Sequence, residues 1–401
     1  MKIFRIFFIS ILLFSYLLAG ELIKIEIFGL KHLNKEKLLE QIGAKEDDSF
    51  IFWRKEGYWI DRKFLEMLKP TIKGWLEENG YYKAKIDIEK SKDLVKVYIK
   101  ENRPIRVKEI KVDSDIDVTN IVTFKVGDIF SAKKFIDIKG KLKEYLLNKG
   151  YCNYKLDTKA YVDLEKFSAK LRYFIRHNDI CHFGKTTIIK KPKNIPDRVI
   201  YSRLYMQKGK KFTLERIKKS YEALNSLNLF SQIDITYDKN GSIIYPKVAV
   251  EKNSKLKRYM LAFGYESEVG FRFKGEHEWR NFLGWRNLKI KMEISKDVQK
   301  YEANYFEPAF FAIDNKYFFD LYSSLGYIKE DVSGYFMKKF YWDLHLKYNY
   351  ERWDVKAGVG FEKLILDLKE EIPNLIDGNF YILYPYIQLT YDARDSKIDP
   401  K

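Results

Sequence analysis

Strict alternation of apolar and polar residues marks the stretch Phe271–Ser295, which predicts two β-strands joined by a turn. In the first strand, the odd positions from Phe271 to Trp279 share one face, and charged residues occupy most of the other face. In the second strand, Leu288, Ile290 and Met292 alternate with lysine and glutamate. A soluble sandwich fits this pattern, and so does a membrane barrel that turns its apolar face outward to lipid.

A second pattern recurs three times before this stretch, and it predicts three related α+β repeats. Each repeat ends an amphipathic helix at a Gly-aromatic or Asn-Leu-Phe junction and continues as a strand, at residues 77–90, 147–162 and 224–238. The predicted unit is strand, helix, helix, strand, strand, with a short helix near its front. The inward helix positions are Leu65, Leu68, Ile72, Trp75 and Leu76 in the first repeat, Phe135, Ile138, Leu142, Tyr145 and Leu146 in the second, and Ile217, Tyr221, Leu224 and Leu227 in the third. Opening strands are expected at Leu22–Phe28, Ile105–Val112 and Phe183–Ile189, and an Asn-Gly turn at Gly241 predicts a hairpin.

Further alternating segments follow the repeats and predict about eight strands. The expected strands are Lys257–Tyr265, the two strands within Phe271–Ser295, Tyr301–Tyr305, Tyr317–Leu325, a strand within Phe336–Tyr350, Trp353–Ile365 and Phe380–Tyr391. Turn signals include Pro308 and Lys329–Asp331. In the first of these strands Tyr259, Leu261, Phe263 and Tyr265 are expected to face lipid, and Ala262 and Gly264 to face inward.

The start of the chain indicates that the protein is exported. Residues 1–20 have a basic start, an apolar stretch and a final Ala-Gly, which is typical of a secretory signal peptide, with an uncleaved anchor as the alternative. The formal net charge of +18 fits either an anionic partner surface or lysines spread over solvated faces, and a nucleic-acid partner is not expected after a signal peptide. Aromatic residues make up 16% of the chain, which favours a barrel with aromatic girdles.

Cysteine chemistry is confined to Cys152 and Cys181. In an oxidising compartment they predict a disulfide, and a metal site with His177 and His182 is the alternative. We find no catalytic motif: Gly184-Lys185-Thr186 lacks the glycine that a phosphate loop needs, and His277-Glu278 lacks a second histidine. The sequence predicts no enzyme activity, no cofactor and no metal.

The order of three β-α-α-β-β units and an alternating, aromatic-rich segment resembles POTRA domains followed by an outer-membrane barrel, as in the BamA/TamA superfamily of outer-membrane assembly proteins. The predicted domains are a signal peptide at 1–20, POTRA-like domains at 21–103, 104–180 and 181–254, and the N-terminal half of an antiparallel transmembrane barrel at 255–401. The final residues YDARDSKIDP resemble a superfamily signature, with Asp392, Arg394, Asp395 and Pro400 in register. That signature falls in mid-barrel in the family, so the sequence is expected to be truncated there.

The resemblance implies a TamA-like factor, located in the outer membrane with its repeats in the periplasm, that helps insert or secrete barrel proteins such as autotransporters. It implies unfolded outer-membrane protein substrates, contact with outer-membrane lipid and a TamB-like inner-membrane-anchored partner. The first barrel strand, with Tyr259, Leu261, Ala262, Phe263, Gly264 and Tyr265, would form one side of a lateral gate. A BamA-type general insertase and a two-partner-type exporter of soluble proteins are the alternatives.

Overall fold

The computed structural model describes residues 22–46, 57–267, 270–314, 316–350, 352–369 and 376–393, without the side chain of Tyr350. The signal-peptide prediction and the motif residues Arg394, Asp395 and Pro400 lie outside these residues. The chain forms two compact units, one up to Asp179 and one from Ile180 onward. No helix in the described segments combines the length and apolar character needed to cross a bilayer.

The first repeat is a five-stranded sheet covered by helices. Its elements are β1 (Leu22–Phe28), α1 (Lys35–Gln41), β2 (Lys45–Glu46), β3 (Tyr58–Asp61), α2 (Leu68–Glu78), β4 (Lys85–Lys90) and β5 (Leu94–Lys100). The strand order is β2-β3-β1-β5-β4, with β1 parallel to β5. Alternate residues of β1 and β5 pack under α2, whose buried side chains are Leu68, Ile72, Trp75 and Leu76, as predicted.

A buried carboxylate holds the end of this sheet to the loop after β1. Glu101 is 5% exposed and accepts hydrogen bonds from the backbone N–H groups of Lys31 at 2.8 Å and His32 at 3.1 Å. The same oxygen, Oε1, also accepts from the Leu33 N–H at 3.3 Å, and the ring Nδ1 of His32 lies 2.8 Å from the other oxygen, Oε2. Burial opposes the ionisation of Glu101, but the hydrogen bonds from His32 and its neighbours outweigh burial and hold the pKa of Glu101 below its ordinary value of 4.5.

The second repeat is a three-stranded sheet with one long helix. Its elements are β6 (Arg106–Ser114), α3 (Ala132–Asn148), β7 (Tyr154–Asp163) and β8 (Ser168–His177), in the order β6-β8-β7. Ser131 caps α3 by accepting a hydrogen bond from the Lys134 N–H. The predicted helix stops are confirmed: Gly80 and Gly150 have φ values of 92° and 94°, which side chains disfavour.

The predicted front helix of the second repeat is wrong. Residues 115–131 form turns, and the loop buries Val118, Phe124 and Phe130 against the core of the repeat. β-Branched residues such as Val118, Ile121 and Val122 have weak helix propensity, so burial of the loop outweighs helix formation here.

The third repeat is built from β9 (His182–Phe183), β10 (Thr187–Lys190), α4 (Asp197–Tyr201), α5 (Leu214–Ser226), β11 (Phe230–Asn240) and β12 (Ile243–Lys252). The predicted single strand Phe183–Ile189 is wrong, because the backbone breaks at Gly184–Thr186, where the Thr186 hydroxyl donates to the carbonyl of Met206. The predicted burial of Tyr221 is also wrong, since Tyr221 is 46% exposed and Ser220 is buried instead. The Ser220 hydroxyl accepts a hydrogen bond from the Tyr205 N–H and donates to the carbonyl of Arg216, so this polar residue fits the core side of α5. The Asn240-Gly241 hairpin is confirmed.

An eight-stranded antiparallel sheet follows, in which every strand pairs with its sequence neighbour. Its strands are β13 (Lys257–Glu266), β14 (Gly270–Phe282), β15 (Arg286–Ile294), β16 (Val298–Ile313), β17 (Tyr317–Asp331), β18 (Tyr335–Tyr350), β19 (Trp353–Leu368) and β20 (Gly378–Tyr391). The fold class is therefore α+β repeats followed by a large antiparallel sheet, as predicted. The turns predicted at Pro308 and at Lys329–Asp331 are wrong. β16 continues beyond Pro308 with a bulge between Glu307 and Phe311, and β17 extends to Asp331.

Candidate functional site

The first strand of the sheet, β13, forms one of its two edges in the described part of the chain. Its register places Tyr259 opposite His277, Leu261 opposite Gly275 and Phe263 opposite Phe273, so the apolar faces of β13 and β14 coincide as predicted. Phe263 is 80% exposed, and Ala262 and Gly264 occupy the alternate positions. The gate residues Tyr259, Leu261, Ala262, Phe263, Gly264 and Tyr265 therefore share one edge strand, and their action as a gate stays a prediction.

The apolar face of the sheet continues across all eight strands. Cross-strand partners of the edge residues lead to Ile290, Leu325, Trp342 and Leu383, which all have large exposed fractions. The rings of Phe263 and Phe273 lie 5.0 Å apart, and aromatic pairs recur along this face. An apolar surface this extensive needs a covering that is itself apolar, which a bilayer provides.

The opposite face carries ion pairs that run from strand to strand. Lys289 Nζ lies 2.9 Å from a carboxylate oxygen of Glu276, and Lys291 Nζ lies 2.8 Å from one of Glu302. Lys339 pairs with Glu362 further along, at 2.6 Å. The sequence indicated a charged face, but the pairing could not be read from it because each pair depends on strand register.

Tyrosines on this polar face lie across glycine positions of the neighbouring strand. A Cβ atom at Gly326 would lie 2.2 Å from the ring of Tyr341, so only glycine leaves room for that ring. The Tyr341 hydroxyl donates a 2.8 Å hydrogen bond to Glu302. Sequence reasoning missed this arrangement, although glycine within an alternating strand is a signal of close approach.

The remaining predicted site residues are scattered. Asp392 donates its backbone N–H to the carbonyl of Arg352 at 2.8 Å, and its role as part of a family signature stays a prediction. The disulfide between Cys152 and Cys181 stays a prediction, which the mass after alkylation, with and without reductant, tests. Within the described residues, no three His, Cys, Asp or Glu side chains group as metal ligands.

Within the described residues, the sheets of the first two repeats end in edge strands. In the first repeat β4 is an edge strand, and in the second repeat β7 is one. Edge strands carry free backbone donors and acceptors, to which an extended peptide can add a strand. Such edges on α+β repeats, followed by a sheet with one apolar and one charged face, define a class: proteins that combine repeats with a sheet adapted to a membrane.

Comparison with known proteins narrows this class. Residues 21–102 and 103–176 match the POTRA family, described as surface antigen variable number repeat. The outer membrane protein assembly factor BamA of Buchnera aphidicola (subsp. Acyrthosiphon pisum, strain APS) is 24% identical over 298 residues, which are 69% of this chain and 47% of BamA. BamA of Nitratidesulfovibrio vulgaris is 22% identical over 278 residues, which are 65% of this chain and 35% of BamA. The first two repeats match the POTRA family, and the chain is similar in sequence to BamA, of which it spans less than half the length.

Two solved structures are similar to parts of this chain. The crystal structure of BamA from Haemophilus ducreyi lacking POTRA domains 1-3 has a TM-score of 0.48 and 16% identity, and the match covers 74% of this chain and 61% of that one. CdiB from Acinetobacter baumannii has a TM-score of 0.38 and 12% identity, covering 72% and 59% of the two chains. The assignment of residues 181–254 as a third POTRA domain stays a prediction.

Proposed function

We propose that this protein is an outer-membrane assembly factor. Its repeats bind unfolded outer-membrane proteins in the periplasm and pass them to the edge of the membrane-embedded sheet. The observation that carries the proposal is the combination of a lipid-adapted face with an edge strand, β13, that lies next to the repeats in sequence. The similarity in sequence to BamA, an outer membrane protein assembly factor, supports it.

The mechanism needs no covalent chemistry and no cofactor. A substrate strand adds first to an exposed repeat edge, through backbone hydrogen bonds that do not depend on its sequence. It then reaches β13, whose apolar side chains already face lipid, so the new strand can pair while its own apolar residues enter the bilayer. Every backbone donor and acceptor of the entering strand must be satisfied in lipid, and pairing at an edge achieves this.

Site-specific photocrosslinking tests the role of β13. Benzoylphenylalanine replaces Phe263 on the edge strand or Phe340 on β18, which lies on the same apolar face in the middle of the sheet. The full-length protein in liposomes receives a denatured small barrel protein. We expect substrate crosslinks at position 263 and none at 340. Equal crosslinking at both positions, or insertion without crosslinks at 263, would refute the proposal.

We further propose the finer role: TamA-like assembly of autotransporters together with a TamB-like partner that docks on the first repeat. The position of the first repeat supports it, because two further repeats separate it along the chain from the membrane-adapted sheet. Deletion of residues 21–103 should abolish partner pull-down while the sheet remains folded, as judged by heat-modifiable migration. Retained pull-down would contradict the docking site. Lethality on depletion would favour a BamA-type insertase, and a large lumen conductance of the full-length protein would favour an exporter.

A further inference from the structure

A short segment of the third repeat that follows β10 contacts the end of the sheet. We call this end the repeat-side rim, where β14 ends at Phe282, β15 begins at Arg286, β16 ends at Ile313 and β17 begins at Tyr317. Asn194 donates its side-chain N–H to the carbonyl of Gly284 at 3.2 Å. Within the same segment α4 packs on β16. The third repeat and the sheet belong to one compact unit.

The central contact is a buried ion pair. Arg203, just after α4, places its Nη2 atom 2.8 Å from Oδ2 of Asp320 on β17. The two side chains are 11% and 3% exposed. Such a pair adds little net stability because both charges lose their hydration, but removing one partner leaves an uncompensated buried charge. The pair therefore fixes the position of the third repeat relative to β17, and it adds little to the net stability of the fold.

The same carboxylate fixes an irregularity in the sheet. Its other oxygen, Oδ1, accepts a 2.8 Å hydrogen bond from the backbone N–H of Ala309. Ala309 lies in the bulge between Glu307 and Phe311, is fully buried and has a φ of 51°. A non-glycine residue rarely adopts this conformation, so the surroundings must hold it. Asp320 thus joins the third repeat on one side to the bulge on the other.

A second carboxylate next to the bulge repeats the arrangement. Glu307 is 4% exposed and accepts hydrogen bonds from Arg286 Nε at 2.8 Å and from the Tyr305 hydroxyl at 2.6 Å. Arg198 of α4 approaches it to 3.8 Å. Two arginines of the third repeat therefore face two buried carboxylates that flank one bulge.

We propose that Arg203 is a positioning residue that couples the orientation of the third repeat to the conformation of the bulge at Glu307–Phe311. The repeat cannot turn over the rim without breaking the Arg203–Asp320 pair. The charged Asp320 carboxylate, left without its partner, then turns to water and releases Ala309, whereas a neutral side chain at this position can stay in place. Movement of the repeat is thereby transmitted to β16 and β17. This inference rests on the fold and the contacts and does not depend on the proposed function.

Distances between spin labels test the orientation. Labels are placed on introduced cysteines at Lys239 in the third repeat and Lys296 at the far end of the sheet, both exposed, in the full-length protein carrying Cys152→Ser and Cys181→Ser. The parent and the Lys190→Met control, which removes an exposed ion pair of the same repeat, should give one narrow distance distribution. Arg203→Met should broaden it or add a second distance, and Arg203→Lys should restore the narrow distribution. An unchanged distribution in Arg203→Met would overturn the proposal.

Hydrogen exchange tests the coupling and separates it from local unfolding. In Arg203→Met, peptides covering 194–205 and 305–311 should both exchange at least tenfold faster, while peptides within 338–347 of β18 stay protected. Asp320→Asn keeps an acceptor for the Ala309 N–H, so it should release 194–205 and leave 305–311 protected. The coupling is refuted if Arg203→Met releases only 194–205, or if Asp320→Asn leaves 194–205 unchanged.

Discussion

Strand β5 of the first repeat and strand β13 of the sheet have the same alternating pattern and opposite surroundings. In β5 the apolar positions Val95 and Val97 are fully buried. In β13 the apolar positions Leu261 and Phe263 are 68% and 80% exposed. The two strands differ because α2 covers one face of the first sheet, whereas the apolar side chains of β13 are exposed on the surface of the second.

The comparison teaches that alternation specifies two faces but not what lies against each. In the repeats the chain itself supplies the apolar partner, and the charged residues face water. In the sheet the charged residues pair with one another on one face, and the apolar residues are left for lipid. The four predictions that follow test this difference, beginning with the largest expected effect.

Truncation of a leucine to alanine should destabilise the first repeat strongly and the sheet very little. Leu76 in α2 is 1% exposed, so Leu76→Ala should destabilise the first repeat by about 3–4 kcal/mol through lost burial and a residual cavity. Leu261→Ala on β13 should have little effect on the unfolding of the sheet. Urea titration followed by tryptophan fluorescence measures both, and Trp75 reports beside the substituted position. Equal losses would remove the distinction between the regions.

A charge on the apolar face should be costly only in a bilayer. Ile290→Arg on β15 should destabilise the folded sheet by about 2–3 kcal/mol in lipid, because the charge leaves water. Lys291→Arg, one residue away on the polar face, is the matched control and should behave like the parent. Urea midpoints of the liposome-embedded protein give the difference. If both variants lose the same stability, the assignment of faces is wrong.

Loss of the Glu101 carboxylate should weaken the first repeat in a pH-dependent way. Glu101→Gln should cost about 1–3 kcal/mol, because its buried backbone donors lose a charged acceptor. The folded pKa of Glu101 is lowered, so its contribution is complete above the ordinary pKa of 4.5 and is lost as pH falls through the folded pKa. The parent should therefore lose stability below pH 4.5, and Glu101→Gln should lose less over that interval.

The exposed residue Glu66 provides the control for that titration. Glu66→Gln should leave the free energy of unfolding of the first repeat at pH 7 close to that of the parent. A Glu101→Gln profile parallel to that of the parent would show that other carboxylates cause the acid loss.

The smallest effect is expected for an exposed ion pair in the third repeat. Lys190 and Glu251 lie on the surface, where solvation and side-chain entropy offset their attraction. Lys190→Met should leave the urea midpoint of the third repeat unchanged within measurement. A clear fall in the urea midpoint would contradict this expectation, because it would show that exposed ion pairs stabilise the repeats.

Local signals were sufficient for much of the fold. Gly80 and Gly150 ended their helices as expected, since the left-handed conformation is a local property of the chain. The eight strands followed from alternation, although several were predicted too short. The coincidence of apolar faces across β13, β14 and β15 also followed, because a one-residue slip would have turned charges to lipid.

Tertiary contacts determined what the sequence could not indicate. Pro308 predicts a turn, but the chain forms a bulge there because Asp320 accepts a hydrogen bond from the N–H of Ala309, eleven residues before it. Tyr221 fitted the apolar face of α5, yet Ser220 is buried there because its hydroxyl has two backbone partners. The Arg203–Asp320 pair spans 117 residues and has no local signal at all.

The central claim is that the sheet turns its apolar face to lipid, and fluorescent labelling of two adjacent residues tests it most directly. An environment-sensitive dye is attached to a cysteine at Leu325, on the apolar face of β17, or at Ser324, on the polar face, in the full-length protein in liposomes. We predict blue-shifted emission and quenching by acyl-chain nitroxide lipids at position 325, and neither at 324. Equal quenching at both positions, or quenching at 324 alone, would contradict the account.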